Sequence, residues 1–515
     1  MTDFRKGRVA VVGTGIAGLA CAHILAKEYA VSIFESQPAL GMDSASISHA
    51  GGRMDVPLRT FSTDYYPNLS RLYEDIGVSF STANYQFSLS NFASKEMYFT
   101  YYNFYRNDLF KRVFGFDLVS VPMLTSWHPT KVIKYIKLLG EMYWFQKRGP
   151  RDLQNGGCVN KTFKQYVLES HSTEFYYELL MPMLSVVCTC TWDAVGQYPA
   201  EVLVDYMTGR SRQHPMGSTT MRATDGTVEI VRKLSLQCEQ IHTSCYVQRV
   251  VPGSKPIVMW CTKADGEQIQ EFDHVIIATQ ANAASALLSD QVDNPVANDL
   301  HEILTKVKYE KNRTVLHQCP DAKLWGEDFP GTCHLQVDLE NNRSDCTIWM
   351  NRIDPLLANE LKENVFQTWN PFTTCEENKI LDVVFERPVL TLDSMRDLDH
   401  LNSKQGQGGL WFVGAYSLYS MPLLENGVRS AIRVANKLLD KSNQYPELGA
   451  QLSGAAFADR RPDLVTSKQQ LATRKRSYAR LALDGMVWGS ALLLVGGSML
   501  AFAGPGKQWR ERQLL

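Results

Sequence analysis

At 515 residues, with 44% hydrophobic and 21% charged residues, the chain has the composition of a folded globular protein and the length of two or three domains. A formal net charge of -1 supplies no global field for nucleic acid or an acidic partner, so no nucleic-acid partner is expected. The eleven cysteines are scattered from Cys21 to Cys375, only Cys188 and Cys190 sit close together, and no CxxC pair occurs. That pattern indicates neither a zinc site nor a disulfide framework, so no metal is expected and a reduced compartment is the natural reading.

Arg8–Val12 (RVAVV) predicts a strand, which leaves no room for an apolar signal region before it. The Asn-x-Ser/Thr sequons at Asn68, Asn160, Asn312 and Asn342 are accordingly expected to be chance matches. Ala17–Lys27 predicts a helix and Val31–Phe34 a second strand ending at Glu35, the βαβ opening of a dinucleotide-binding unit. Tyr65–Gly77 follows as a short amphipathic helix. Residues 84–150 are aromatic-rich and show little period, except that Val132, Ile133, Ile136, Leu139 and Tyr143 recur at helical spacing within Lys131–Phe145. That stripe predicts a core-facing helix of a second domain, with a membrane-leaning or substrate-channel helix as the alternative.

The opening rhythm returns with a helix at Thr227–Leu236 and strands at Ser244–Val251 and His274–Thr279. Strands are then expected at Arg313–His317, His334–Asp338, Thr347–Asn351 and Leu381–Phe385, followed by a strand at Gly409–Gly414 and a helix at Val428–Leu439. Residues 441–484 lack hydrophobic period and read as a polar linker. Gly485–Ala503 is an uncharged run of nineteen residues, long enough for a ~30 Å hydrocarbon core. Arg474, Lys475, Arg476 and Arg480 precede it, and Lys507, Arg510 and Arg512 follow. The expectation is a single-pass C-terminal membrane anchor with the larger basic cluster, and the rest of the chain, on the cytosolic side. A buried C-terminal helix is the alternative, since four glycines and two serines dilute the run.

The chemistry-bearing residues begin in the turn Gly13-Thr14-Gly15-Ile16-Ala17-Gly18. Gly13 permits a tight turn, Gly15 lets the backbone approach a diphosphate, and Gly18 lets helix and strand pack closely; the N–H groups of the helix start then hold the diphosphate. Glu35, seventeen residues past Gly18, stands where a carboxylate accepts ribose hydroxyls. This motif does not separate FAD from NAD. Two further segments favour FAD: Gly51-Gly52-Arg53-Met54-Asp55, at the distance for a second loop over the diphosphate, and Trp411–Ala415 with Glu425-Asn426-Gly427-Val428-Arg429-Ser430-Ala431, a strand, a turn at Gly414 and a second helix start. In flavoproteins such a helix start faces the flavin edge where charge accumulates on reduction.

These residues resemble the flavin-containing amine oxidoreductase superfamily, which includes phytoene desaturases and protoporphyrinogen oxidases. Within it the chain is similar to a branch of FAD/NAD-binding proteins associated with fatty-acid modification, whose phrases run through residues 8–440: Tyr66–Leu69 (YPNL), Gln86–Ser88 (QFS), Asn312–His317 (NRTVLH), Ile348–Ile353 (IWMNRI), Trp369–Pro371 (WNP) and the closing ENGVRSA. The resemblance implies an FAD enzyme with a lipid-like substrate at a membrane, and places the Val247 backbone against adenine. The expected class is α/β, a discontinuous Rossmann-like FAD-binding domain (1–83, 221–290 and 406–440) with an inserted α+β substrate domain, helical over 84–220 and sheet over 291–405. Catalytic candidates are His317, at a strand end, with Arg313 and Arg352 as guanidiniums for a carboxylate or phosphate; Trp192 and Trp349 read as packing residues. The branch's Gly-Gly-His after the acid is Gly41-Met42-Asp43 here, and its closing Gly-Phe-His-Glu-Asp-Gly is Pro422-Leu423-Leu424-Glu425-Asn426-Gly427, so a histidine near the flavin is lost. Amine oxidases commonly place an aromatic residue where Leu423-Leu424 stands. An amine oxidase in the narrow sense, and a flavin-binding scaffold without catalysis, are the alternatives.

Overall fold

The computed structural model describes residues 5–439 and Glu447, apart from 44, 63–64, 85, 106–117, 124–127, 210–219, 263–265, 320–331, 354 and 374–375. All belong to the first of two units into which the chain divides, Met1–Phe457. The expected span Gly485–Ala503, and the linker before it apart from Glu447, lie outside the described residues. Among the described residues no helix is long and apolar enough to cross a membrane.

Five short strands form one parallel sheet in the order Gln240–His242, Ala30–Phe34, Arg8–Val12, His274–Ile277 and Leu410–Phe412. Val9, Ala10 and Val11 are fully buried, as apolar β-branched runs are in a sheet covered on both faces. One face packs on the helix Ile16–Leu25, which is in turn packed against Gly226–Ser235 and Leu424–Leu438. The other face carries Ala10, Val12, Phe34 and Ile277 into a cluster with a three-stranded antiparallel sheet, Cys245–Val251, Ile257–Thr262 and Gly266–Glu271. This is a Rossmann-like α/β layer arrangement drawn from three separated stretches of sequence.

The remaining chain builds an eight-stranded sheet. Its order is Lys379–Val389, Lys308–His317, Phe366–Trp369, Arg343–Trp349, Cys333–Asp338, Phe87–Asn91, Met97–Tyr105 and Leu118–Met123. All neighbours are antiparallel except Cys333–Asp338 with Phe87–Asn91. A helical layer that includes Pro129–Gln154, Phe163–Leu168, Met181–Cys188 and Ala200–Gly209 shares its largest apolar cluster.

Four expectations are corrected. Residues 84–220 are not simply helical, because three of their segments extend the sheet laid down mostly by residues 308–389; the strand that joins them to it, Phe87–Asn91, pairs with the remote Cys333–Asp338, a partner no local period records. The long helix buries Tyr135, Leu138, Phe145 and Gly149, while Ile133 and Ile136 stand 67% and 50% exposed. Aromatic volume, not the aliphatic stripe, fixed its inner face. The strand expected to reach Asn351 ends at Trp349, and Met350–Ile353 turns helical. Cys319 is disulfide-bonded, which its spacing did not signal, while nine other described cysteines are free.

Two carboxylates tie the layers together. Asp55 Oδ1 accepts from the Thr227 N–H at 3.0 Å and its hydroxyl at 2.9 Å, capping the start of Gly226–Ser235. Buried Glu425 accepts from the N–H groups of Asn68 at 3.1 Å and Leu69 at 2.9 Å and from the Asn68 side-chain amide at 2.6 Å, capping Pro67–Asp75. Both exploit the orphan donors and positive dipole end of a helix start. The phrases YPNL and ENG therefore meet in space although 357 residues separate Asn68 from Glu425. Asn68 is fully buried and Asn312 is 3% exposed, so those two sequons are not open to a glycosyl transferase.

Candidate functional site

The glycine turn connects Arg8–Val12 to Ile16–Leu25 at the carboxyl ends of the parallel strands, where open α/β sheets bind ligands. Gly13 has φ +98°, and a Cβ there would lie 3.0 Å from the Ala278 carbonyl carbon. A Cβ on Gly18 would lie inside contact distance of the Gly13 carbonyl and 3.0 Å from Ala278 Cβ. Gly15 differs: its φ of -62° suits any residue, and a Cβ there meets nothing within 4 Å. The space beside Gly15 opens into a cavity of about 450 Å³.

Glu35 is 8% exposed beside this turn. Its carboxylate accepts from the Thr14 N–H at 3.2 Å, the Thr14 hydroxyl, the Gln37 N–H at 2.9 Å and the Ser36 hydroxyl at 3.2 Å. Gly41 N–H donates to the Thr14 hydroxyl at 2.6 Å, so the departure Gly41-Met42 closes over the turn through Thr14. The Glu35 carbonyl accepts from Cys245 N–H at 2.9 Å, which sets the strand bearing buried Val247 against the acid.

Of the residues singled out in the sequence, Gly15, Ile16, Ala17, Gly414 and Gly427 line the cavity. Gly427 permits a close helix crossing, since a Cβ there would lie 2.8 Å from Ile16 Cγ2. Asn426 is 2% exposed and its Nδ2 has no partner among the described residues, while Val428 faces the core. Gly52 and Arg53 lie off the cavity: Gly52 packs on Leu357 and Leu361, and Arg53 Nη1 lies 3.5 Å from Ser48 Oγ.

The structure brings none of the three catalytic candidates to the cavity. His317 Nδ1 accepts from Cys319 N–H at 3.3 Å, Nε2 meets Thr368 Oγ1 at 2.7 Å, and burial holds its pKa down at about 4. It is a neutral, satisfied core histidine. Arg313 is paired with Asp382 at 2.6 Å at the surface, and the Arg352 guanidinium stacks 3.9 Å over the Trp349 ring. Trp192 is buried and donates to Ser344 Oγ at 3.1 Å, a packing role.

Much of what lines the cavity beyond the turn was not singled out in the sequence as part of a site. One wall comes from the segment after Asp55, with Pro57, Leu58, Arg59, Phe61 and Ser62. The eight-stranded sheet gives Tyr309, Trp369, Glu386 and Arg387, and the helical layer gives Val186, Val187 and Tyr206. Tyr416, Leu423 and Leu424 close it beside the glycine turn. Among the described residues no group of three His, Cys, Asp or Glu side chains could hold a metal ion.

A family model described as an NAD(P)-binding Rossmann-like domain matches residues 11–76. Solved structures align along most of the chain. A cyclohexylamine oxidase from Brevibacterium oxydans IH-35A aligns with TM-score 0.56 and 12% identity over 84% of this chain and 99% of its own. A wild-type putrescine oxidase bound to putrescine aligns with TM-score 0.56 and 12% identity over 84% and 98%. A CLA-producing fatty acid isomerase from P. acnes aligns with TM-score 0.55 and 13% identity over 85% and 100%. The chain has the fold of the flavin amine oxidoreductases. No curated protein sequence matches it. At these identities the likeness extends to architecture, so the cavity's own residues must carry any reading of its chemistry.

Proposed function

We propose that this protein is an FAD-dependent oxidoreductase, of oxidase, desaturase or isomerase type, acting on an apolar, lipid-like substrate at a membrane surface. The observation that carries the reading is a cavity lined both by the open side of Gly15 and by apolar side chains, among them Val186, Val187, Leu423 and Leu424. The residues fit the cofactor: the Gly13–Gly18 turn and helix start offer a diphosphate cradle, Glu35 a carboxylate for ribose, and Asn426 a buried amide lacking a partner. The group held there would supply two-electron redox chemistry to a substrate in the cavity. Val186, Val187, Leu423 and Leu424 would exclude water from the reacting face and favour an alkyl chain. An amine substrate is less favoured, because two arginines, Arg59 and Arg387, line the cavity against one acid, Glu386.

Purified protein is expected to be yellow, with a flavin band near 450 nm that bleaches anaerobically with a lipid extract. Colourless, well-folded protein that takes up no added FAD would sink the reading. Glu35→Ala is expected to weaken FAD binding by roughly 1.5–3 kcal/mol, the worth of a charged hydrogen bond. It should also lower the thermal midpoint, since it strands the donors of Thr14 and Gln37.

Gly485–Ala503 would serve as the anchor. Full-length protein is expected to stay in the pellet after carbonate and high salt, because insertion rests on apolar transfer and not on charge. A chain truncated after Lys475 should become soluble and keep its flavin, since every cofactor residue precedes residue 440. Truncated protein that aggregates without flavin, beside full-length protein soluble in plain buffer, would show a core helix instead.

A further inference from the structure

The cavity's wall holds a half-buried positive charge that no acid among the described residues pairs with. Arg387 lies on Lys379–Val389 and lines the chamber with Trp369, Val186 and Tyr206. Its Nε is buried without a hydrogen-bond partner, the residue as a whole is half-buried, and no ion pair to Arg387 occurs among the described residues. The two nearest acids on the same pair of strands are committed elsewhere. Glu310, directly opposite in the register, accepts from the Thr191 N–H at 2.7 Å and its hydroxyl at 2.9 Å. Glu386, the preceding residue, accepts from the Asn282 amide at 2.8 Å.

Its surroundings add positive charge. Arg59 lines the same cavity and is close enough to press the Arg387 pKa down, in addition to the larger effect of burial; only the polar Tyr66, Tyr198 and Cys190 groups oppose this. A guanidinium drawn partly out of water, without an ion pair among the described residues and beside a second guanidinium, is costly. Such an arrangement is stable in a binding cavity when the ligand supplies the counter-charge. A guanidinium fork matches a carboxylate or phosphate with paired N–H···O bonds.

We propose that Arg387, supported by Arg59, binds the anionic head group of an otherwise apolar substrate, orienting its alkyl chain through the chamber toward the glycine-turn side. This rests on the lipid reading above and names the head group that reading leaves open. Arg387 is then a substrate-binding residue, and the chamber selects amphiphiles with a carboxylate or phosphate over neutral ones of equal chain length.

The test is titration calorimetry on the purified full chain with dodecanoate, dodecyl phosphate and 1-dodecanol, each below its micellar limit. It reads binding without flavin reduction, so it can fail while the protein is yellow, and can succeed if the proposed turnover does not occur. At least one anion is expected to bind about tenfold or more tighter than dodecanol, and the order of the two anions tells carboxylate from phosphate. Arg387→Met should abolish that preference while leaving dodecanol affinity and flavin content unchanged, and Arg387→Lys should keep part of it. Because the native guanidinium lacks an ion pair, Arg387→Met should melt at or above the wild-type temperature. Equal binding of all three probes, a preference that survives Arg387→Met, or a variant that melts lower because Arg387 holds the fold together, would each overturn the proposal.

Discussion

Gly15→Ala is expected to fold like the wild type and to lose its flavin, whereas Gly18→Val is expected to give little folded protein at all. The sequence motif treats these glycines alike; the structure separates them. At Gly15 the backbone sits at φ -62° and ψ 175°, a region open to alanine, and the added Cβ meets no protein atom within 4 Å. The methyl group would project into the cavity where a diphosphate must approach the backbone. Flavin affinity should fall at least about tenfold, the factor that ~1.4 kcal/mol represents. At Gly18 the Cβ would collide with the Gly13 carbonyl and press on Ala278 Cβ at 3.0 Å, between the first helix and the middle of the parallel sheet. Neither neighbour is a flexible side-chain tip, so the cost should exceed the ~1–3 kcal/mol usual for overpacking. Absorbance at 450 nm against protein concentration, with thermal melts of both variants, reads the two effects apart. Gly15→Ala that keeps its yellow band at unchanged affinity would remove the turn from the cofactor site.

Glu425→Ala is expected to destabilise the protein by about 3–5 kcal/mol, comparable to losing a buried ionic partner. The carboxylate serves three donors at the start of Pro67–Asp75, and alanine would leave them stranded in a buried junction. Glu425→Gln should cost less, because one oxygen still accepts from Asn68 while an NH2 group faces the Leu69 N–H. Burial is the largest influence on Glu425 and raises its pKa, ahead of the hydrogen bonds that lower it. A raised folded-state pKa means that the stability contributed by protonation is fully present below the ordinary carboxyl range. It is lost as pH rises through the higher folded value. The gap in thermal midpoint between wild type and Glu425→Gln should therefore narrow as pH rises through that window; a gap independent of pH would show that burial does not govern this carboxyl.

The parallel-sheet opening was legible because its signals are local. A β-branched strand, a Gly-rich turn, a helix and a strand ending in Glu35 lie within 28 residues, so their spacing can be read without knowing any remote partner. The strand and helix at Leu410–Phe412 and Leu424–Leu438 were legible for the same reason. The eight-stranded sheet was only partly so, because Phe87–Asn91 pairs with Cys333–Asp338 across some 240 residues, and no sequence period records such a partner. The inner face of Pro129–Gln154 was misread because two stripes compete along it, and only the packed aromatic neighbours decide between them.

Sequence by itself thus determined the fold class and the turn that frames the cofactor site, since both depend on local conformation and spacing. Tertiary structure alone decided the chemistry around it. It sent His317, Arg313 and Arg352 to satisfied positions outside the cavity, and it turned Asp55 and Glu425 into helix caps. It also brought Arg59 and Arg387 to one cavity from segments more than three hundred residues apart. The physical reason is that a side chain's role follows from which partners burial leaves it. For Arg387 the two acids beside it on the paired strands, Glu310 and Glu386, are already engaged, a fact that exists only once the strands are paired.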